Sequence, residues 1–209
     1  MTAKLALAGI TAPIWFTVLV IVQSLLQPDY SHVLLPISAL AAWPYGWLQN
    51  LNFLVFGPLM IAYAIGLHRG VQSGRRGWSG AAFLVVSGVG IVVAGIFPWR
   101  QTEGDFIVPV GHRVGAVMSF LGAGIGLVAM SRRMAGDPKW RPVASYALAC
   151  GVTMVLSFLL IGALAVRDDA PLHAWAGLMQ RLVLAVWFPC TIVLAIRLLR
   201  VAGAAREPN

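Results

Sequence analysis

The sequence predicts an all-α bundle of six transmembrane helices, and three observations carry that prediction. Long apolar segments fill most of the chain: 59% of its 209 residues are hydrophobic and 11% are charged, with a mean hydropathy of +0.83. A soluble domain cannot cover its surface with so few charges, and runs of about 20 apolar residues match the hydrocarbon core of a bilayer. The connections are short, which predicts one bundle and no separate soluble domain. The few charges are also segregated, with most bases at one set of segment ends and nearly all acids at the other, where Arg100, Arg113, Arg167 and Arg181 are the exceptions.

The first helix is expected near 7–26. Lys4 precedes it as in a signal peptide, but the segment is too long for an h-region and holds Pro13, Trp15 and Gln23, so a retained span is expected. The second, near 48–67, carries Pro58 after Gly57, and the sixth, near 176–199, carries Pro189. Both are expected to kink, since neighbours in a bundle satisfy the freed carbonyls. The third lies near 79–97, with Ser87, Gly88, Ala94 and Gly95 as small packing residues. The fourth, near 112–131, carries the stripe Gly111, Gly115, Ser119, Gly122 and Gly126, which allows close backbone approach. The fifth, near 143–165, aligns Tyr146, Cys150, Thr153 and Ser157, read as packing and hydrogen bonding. The chain's two cysteines, Cys150 and Cys190, read as small buried hydrophobes, with no C-x-x-C pattern.

The net charge of +8 is topological rather than a nucleic-acid footprint. Lys4, Arg69, Arg75, Arg76, Arg132, Arg133, Lys139, Arg141, Arg197, Arg200 and Arg206 fall on one side of a six-span chain. The positive-inside rule makes that side, and both termini, cytoplasmic in a bacterial inner membrane, where the bases also meet anionic lipid headgroups. Asp29, Glu103, Asp105, Asp168 and Asp169 then face outward, while Asp137 and Glu207 face in. The inward connectors 68–78 and 131–141 read as solvated and basic, with His68 a solvated loop residue. The outward connector 27–47 is long and half apolar, so it is expected as a short helix in the interface or folded over the bundle mouth. Trp43, Tyr45, Trp47, Trp99 and Trp175 would form an outer aromatic belt, with Trp78 and Trp140 an inner one.

Arg181 is the clearest polar residue inside a span, about five residues or about 8 Å into helix 6. Unpaired at depth it costs a few kcal/mol. Two readings follow: it snorkels to the interface, or it faces a polar cavity and pairs with an outer carboxylate. Neighbouring polar residues share its depth. His173, Gly177, Gln180 and Arg181 fall near one face of helix 6, and Gln49, Asn52 and Phe56 share a face of helix 2. Ser24 and Gln27 end helix 1, while His112 and Arg113 begin helix 4.

His32, His112 and His173 lie in three outer loops or helix ends. With a carboxylate such as Asp29, Asp105 or Asp169 they are candidate ligands of a zinc with an open water position, which would make a hydrolase of the outer leaflet. No H-E-x-x-H pair supports them, so convergence would be wholly tertiary. A single outer haem is a weaker alternative, because the histidines sit at helix starts. Ser31 and Ser38 lie near His32 without a G-x-S-x-G elbow. The competing structural reading is a hydrogen-bond network closing the mouth.

The motifs Q-P-D-Y-S-H (27–32), I-S-A-L (37–40), G-W-L-Q-N-L-N-F (46–53), G-I-F-P (95–98), G-H-R-V-G-A (111–116) and Q-R (180–181) resemble the bacterial and archaeal membrane family catalogued as domain of unknown function 998. A shorter stretch from Gly95 to Phe120 is similar to the six-helix Frag1/DRAM/Sfk1 group, whose resemblance leans toward lipid handling. The first resemblance implies a six-span protein and no particular activity, and it emphasises Tyr30, Ser31, His32, Trp47, Gln49, Asn52, His112, Gln180 and Arg181. The expectation from the sequence is a membrane protein binding a lipid headgroup or small polar ligand in an outward pocket. Arg181 would hold an anionic group, with Tyr30, Ser31, Gln49, Asn52, His112 and Gln180 around it. The metal-dependent hydrolase is the alternative, and a transporter is disfavoured by the lack of paired broken helices or a midplane charge.

Overall fold

A computed structural model describes residues 2–72, 77–103, 105–167 and 169–204. Arg75, Arg76, Asp168, Arg206 and Glu207 lie outside them. Six long helices account for most of the described chain: α1 (Thr2–Leu25), α2 (Gly46–Gly70), α3 (Ser79–Ile96), α4 (Val110–Ala135), α5 (Arg141–Leu164) and α6 (Ala176–Ala204). All six are long and apolar enough to cross a membrane, and the chain is a multi-pass membrane protein. The helices overrun the apolar windows at several ends, because a helical backbone satisfies its own polar groups where hydrophobicity has already fallen. Pro13, Pro58 and Pro189 sit inside α1, α2 and α6 without ending them.

Each helix packs against its neighbours in sequence, and α1 closes the ring onto α6. Glycines set the closeness of the central seams. Gly57 faces Gly88 between α2 and α3, Gly90 faces Gly115 between α3 and α4, and Gly124 faces Gly151 between α4 and α5. A Cβ on any of them would lie 2.6–3.0 Å from the partner glycine's carbonyl oxygen, so a side chain there would force the helices apart. Ser87 adds a hydrogen bond to Ser119 O at 2.8 Å across the α3–α4 seam. Leu5, Gly66 and Leu198 meet where α1 begins and α6 ends, so both termini lie at one end of the bundle. Ile14, Val18 and Ile21 of α1 and Leu156, Leu159 and Leu160 of α5 remain exposed, as suits a lipid solvent.

At the terminal end the connectors are more enclosed than their charge suggests. Asp137 and Arg133 are buried and Trp140 is fully buried, which corrects the reading of solvated basic loops and of Trp140 as a belt residue. Arg133 donates to Val71 O at 2.8 Å and to His68 Nδ1 at 3.1 Å. The Asp137 carboxylate accepts from Gln72 N at 2.8 Å and Lys139 N at 2.9 Å. The Trp140 indole donates to Gly70 O at 3.0 Å. His68 belongs to α2 rather than to a loop and stacks on Trp78, with ring centroids 3.7 Å apart. Arg133 and Trp140 satisfy the carbonyls of His68, Gly70 and Val71 at the end of α2, which the helix itself cannot, while Asp137 takes N–H groups of the two connectors.

The opposite end, here the mouth, carries the other three connections. In the first, a 3-10 helix (Ile37–Ala42) buries Ile37, Ser38, Ala39 and Leu40 among the helix ends. The connection between α3 and α4 forms a two-residue hairpin, β1 (Arg100–Gln101) against β2 (Phe106–Ile107). A single turn (His173–Trp175) leads into α6. Trp47, Tyr45 and Trp175 are exposed around this rim.

Candidate functional site

The segment 30–37 forms a strap fastened to the start of α6. The first N–H groups of a helix have no partner within it. Here Gly177 N donates to Leu34 O at 3.3 Å and Leu178 N to Val33 O at 3.0 Å. Gly177 is required by this approach, because a Cβ would collide with the Leu35 carbonyl. One turn on, Arg181 Nη1 donates to His32 O at 2.7 Å and Leu35 O at 3.2 Å, and Nη2 donates to the Tyr30 hydroxyl at 2.8 Å. Gln180 Oε1 accepts from Ile37 N at 2.6 Å. The Tyr30 hydroxyl in turn donates to the strap, with Leu35 O and Pro36 O each 3.0 Å away.

This geometry fixes the protonation of the strap. Arg181 Nη2 lies 3.2 Å from His32 Nδ1. A guanidinium only donates, so Nδ1 accepts and His32 is the neutral Nε2–H tautomer. Partial burial, with the Arg181 charge adding to it, pulls the His32 pKa below its ordinary value. Burial pushes the Tyr30 phenol up, against the opposing pull of Arg181. Among the described residues, no carboxylate is in contact with Arg181. Asp29 is exposed, and Asp169 pairs with Arg167 at 2.7 Å on the surface.

Beside the strap, α1 and α6 part to leave a groove of about 410 Å³. Phe16, Val20, Leu184, Ala185 and Phe188 make most of its wall, and His32 and Arg181 lie on its border. The hydroxyls of Thr17 and Ser24 also line it, but each donates to a carbonyl of its own helix at 2.7 Å. The groove is therefore apolar along its length and cationic at the mouth.

A second, smaller chamber of about 60 Å³ lies inside the bundle beneath the 3-10 helix. His112, Gln180, Ser38 and Ser119 line it among aromatic side chains. His112 is buried, with Nδ1 at 3.0 Å from Ala94 O and 3.1 Å from Phe97 O. The rings of Trp99 and Phe53 stand edge-on to the imidazole.

The amides of the second helix go elsewhere. Gln49 and Asn52 are fully buried against α1, where Asn52 Nδ2 donates to Phe16 O at 3.2 Å. They line neither cavity. Gln23, with Gln27 one turn later, belongs to this same buried seam, and Gln23 Nε2 donates to Tyr45 O at 3.1 Å. The i, i+4 spacing of Gln23 and Gln27 was the available signal for that face. Ser31 accepts the Leu34 N–H and shapes the strap's turn.

The zinc set is not brought together. Among the described residues no three His, Cys, Asp or Glu side chains converge as metal ligands. His32 faces Arg181, His112 is turned to the end of α3, and His173 Nδ1 lies 3.2 Å from Ala165 O at the rim of α5. The His112 and His173 rings face local backbone carbonyls and the His32 ring faces Arg181.

A family described as "Protein of unknown function (DUF998)" matches residues 10–197, and the chain belongs to it. The match spans the strap, the groove and the chamber. No curated protein and no solved structure matches the chain.

Proposed function

We propose that this member of the DUF998 family is a non-enzymatic membrane protein that binds an anionic amphipathic lipid in the α1–α6 groove. The acyl chain lies along the apolar wall and the anionic headgroup meets Arg181. The observation that carries this reading is Arg181 itself, a permanent cation on the border of a 410 Å³ apolar groove with carbonyls, a phenol and a neutral imidazole as its partners. Among the described residues those partners are all neutral, so they orient the guanidinium, and a phosphate or carboxylate would complement its charge. Tyr30 and His32 position it. Gln49 and Asn52 hold α1 to α2 behind the groove wall.

The basic ends of the helices support an orientation with both termini in the cytoplasm. The mouth then opens on the outer side of the cell membrane, and the exposed Trp47 and Trp175 sit at its headgroup level. The groove meets lipid laterally, so a ligand enters from the outer leaflet without crossing water.

The test is native mass spectrometry of the protein from nanodiscs containing equal phosphatidylglycerol and phosphatidylcholine. Ala185→Trp fills the groove from α6 one turn beyond Arg181. The reading expects retained phosphatidylglycerol in the parent protein and its loss in Ala185→Trp at unchanged helical content. Equal retention of both lipids, or retention unaffected by Ala185→Trp, contradicts it.

A further inference from the structure

We infer that the chamber beneath the 3-10 helix is a second binding site, for a single neutral hydroxyl group. The inference rests on the bundle interior and stands apart from the Arg181 groove.

His112 Nδ1 faces two carbonyl oxygens, Ala94 O and Phe97 O. Carbonyls only accept, so Nδ1 carries the proton and Nε2, on the other side of the ring, is left with a lone pair. Among the described residues Nε2 has no protein partner. Gln180 is polarised the opposite way. Its Oε1 accepts from Ile37 N at 2.6 Å, and among the described residues its amide N–H groups have no acceptor. Ser38 is buried on the 3-10 helix, and among the described residues its hydroxyl has no partner either. Ser119 donates to Gly115 O at 2.6 Å and keeps its lone pairs. All four residues line one chamber, whose remaining walls are Phe16, Phe53, Phe56, Phe120, Trp187 and aliphatic side chains.

A polar group without a protein partner among aromatic walls is unfavourable, and a set of them around one accessible space marks what would fill it. The ligand must donate to His112 Nε2 and accept from Gln180. A hydroxyl does both through one oxygen, as does water, which a ligand hydroxyl would have to displace. A carboxylate cannot donate and an ammonium cannot accept. Among the described residues no charged side chain lines the chamber, so a neutral group is favoured. At about 60 Å³ the space is smaller than the roughly 150 Å³ that admits benzene, which limits the guest to a hydroxyl with a very short apolar stem. Two sources present that chemistry: a free small alcohol, or the hydroxyl end of a neutral lipid. The chamber and the groove share Phe16, Ile37 and Leu184 as walls, so a lipid hydroxyl would enter past Ile37.

The experiment follows the ¹⁵N resonance of His112 Nε2 in histidine-labelled protein in nanodiscs, titrated with ethanol and, separately, with dioleoylglycerol. Ser38→Ala and Ala116→Leu are carried alongside; Ala116 also lines the chamber. The inference expects a saturable shift with at least one probe, affinity weakened about fivefold by Ser38→Ala for one lost hydrogen bond, and no shift in Ala116→Leu. Ethanol shifting the resonance assigns a free small ligand, and dioleoylglycerol alone doing so assigns a lipid. If neither probe shifts a resolved Nε2 resonance, or if Ser38→Ala and Ala116→Leu both titrate like the parent, the inference fails. His112→Asn keeps a donor where Nδ1 stands and deletes the Nε2 acceptor. Its thermal midpoint should no longer respond to the probe that shifts the parent, and an undiminished response also overturns the inference.

Discussion

The two ends of the bundle use the same device under different enclosure. At the terminal end Arg133 grips the carbonyls that follow α2 and faces His68 Nδ1 at 3.1 Å. At the mouth Arg181 grips the strap's carbonyls and faces His32 Nδ1 at 3.2 Å. Arg133 is 8% exposed, and its neighbours Asp137 and Trp140 fasten the same connector from other directions. Arg181 is half-buried, and an open groove runs past it. A guanidinium enclosed on every side is a structural clamp. One clamping a strap at the edge of a groove keeps an accessible face for a ligand.

The largest effect separating the two ends is expected from Arg133→Ala. It strands Val71 O and His68 O in a buried setting and should lower stability by about 3 kcal/mol, read as a lowered denaturation midpoint in detergent. Arg181→Gln leaves its carbonyls close to water and should cost about 1–2 kcal/mol. Equal losses at the two ends would break the comparison. The smallest effect is a pH dependence confined to the mouth. The His32 pKa is lowered from 6.5 in the folded strap, so the unfolded chain binds the proton more readily. Stability from this group should fall as pH drops below about 6.5 and be flat above it. His32→Asn places an acceptor where Nδ1 stands and should remove that slope without loosening the strap at neutral pH. Persistence of the slope in His32→Asn would assign it to another group.

Much of the architecture was legible in the sequence because the bilayer leaves few solutions for long apolar segments. The glycine stripe of α4 was legible for the same reason: Gly115 faces Gly90, and Gly122 meets the Phe83 and Ser87 backbone, across the α3–α4 seam where a side chain would not fit, whereas Gly124, facing Gly151 of α5, lies outside that stripe. The mouth was harder to read. Arg181 stood out by its depth, but its partners are backbone carbonyls, which carry no sequence letter. The expectation of a carboxylate counted side chains alone. The shared depth of Gln49, Asn52, His112 and Arg181 was visible, yet depth does not give rotation about a helix axis. The structure distributes those residues between the α1–α2 seam, the chamber and the groove. The histidines matched a zinc set in number and level, while in each the Nδ1 nitrogen faces a local carbonyl or Arg181. At the terminal end a basic run concealed a buried acceptor, Asp137, whose partners are again backbone N–H groups.

The central claim is that the mouth arginine beside the groove, and not basic charge at that end in general, retains an anionic lipid. Arg113 is an exposed arginine of the same end that lines neither cavity. Phosphatidylglycerol bound per folded molecule is therefore to be measured in Arg181→Gln and Arg113→Gln side by side, each lowering the charge by one. The account predicts at least a tenfold weaker retention in Arg181→Gln, about the 1.4 kcal/mol of one lost charge-assisted contact, with Arg113→Gln unchanged. Equal loss in both variants, or retention in both, would contradict it.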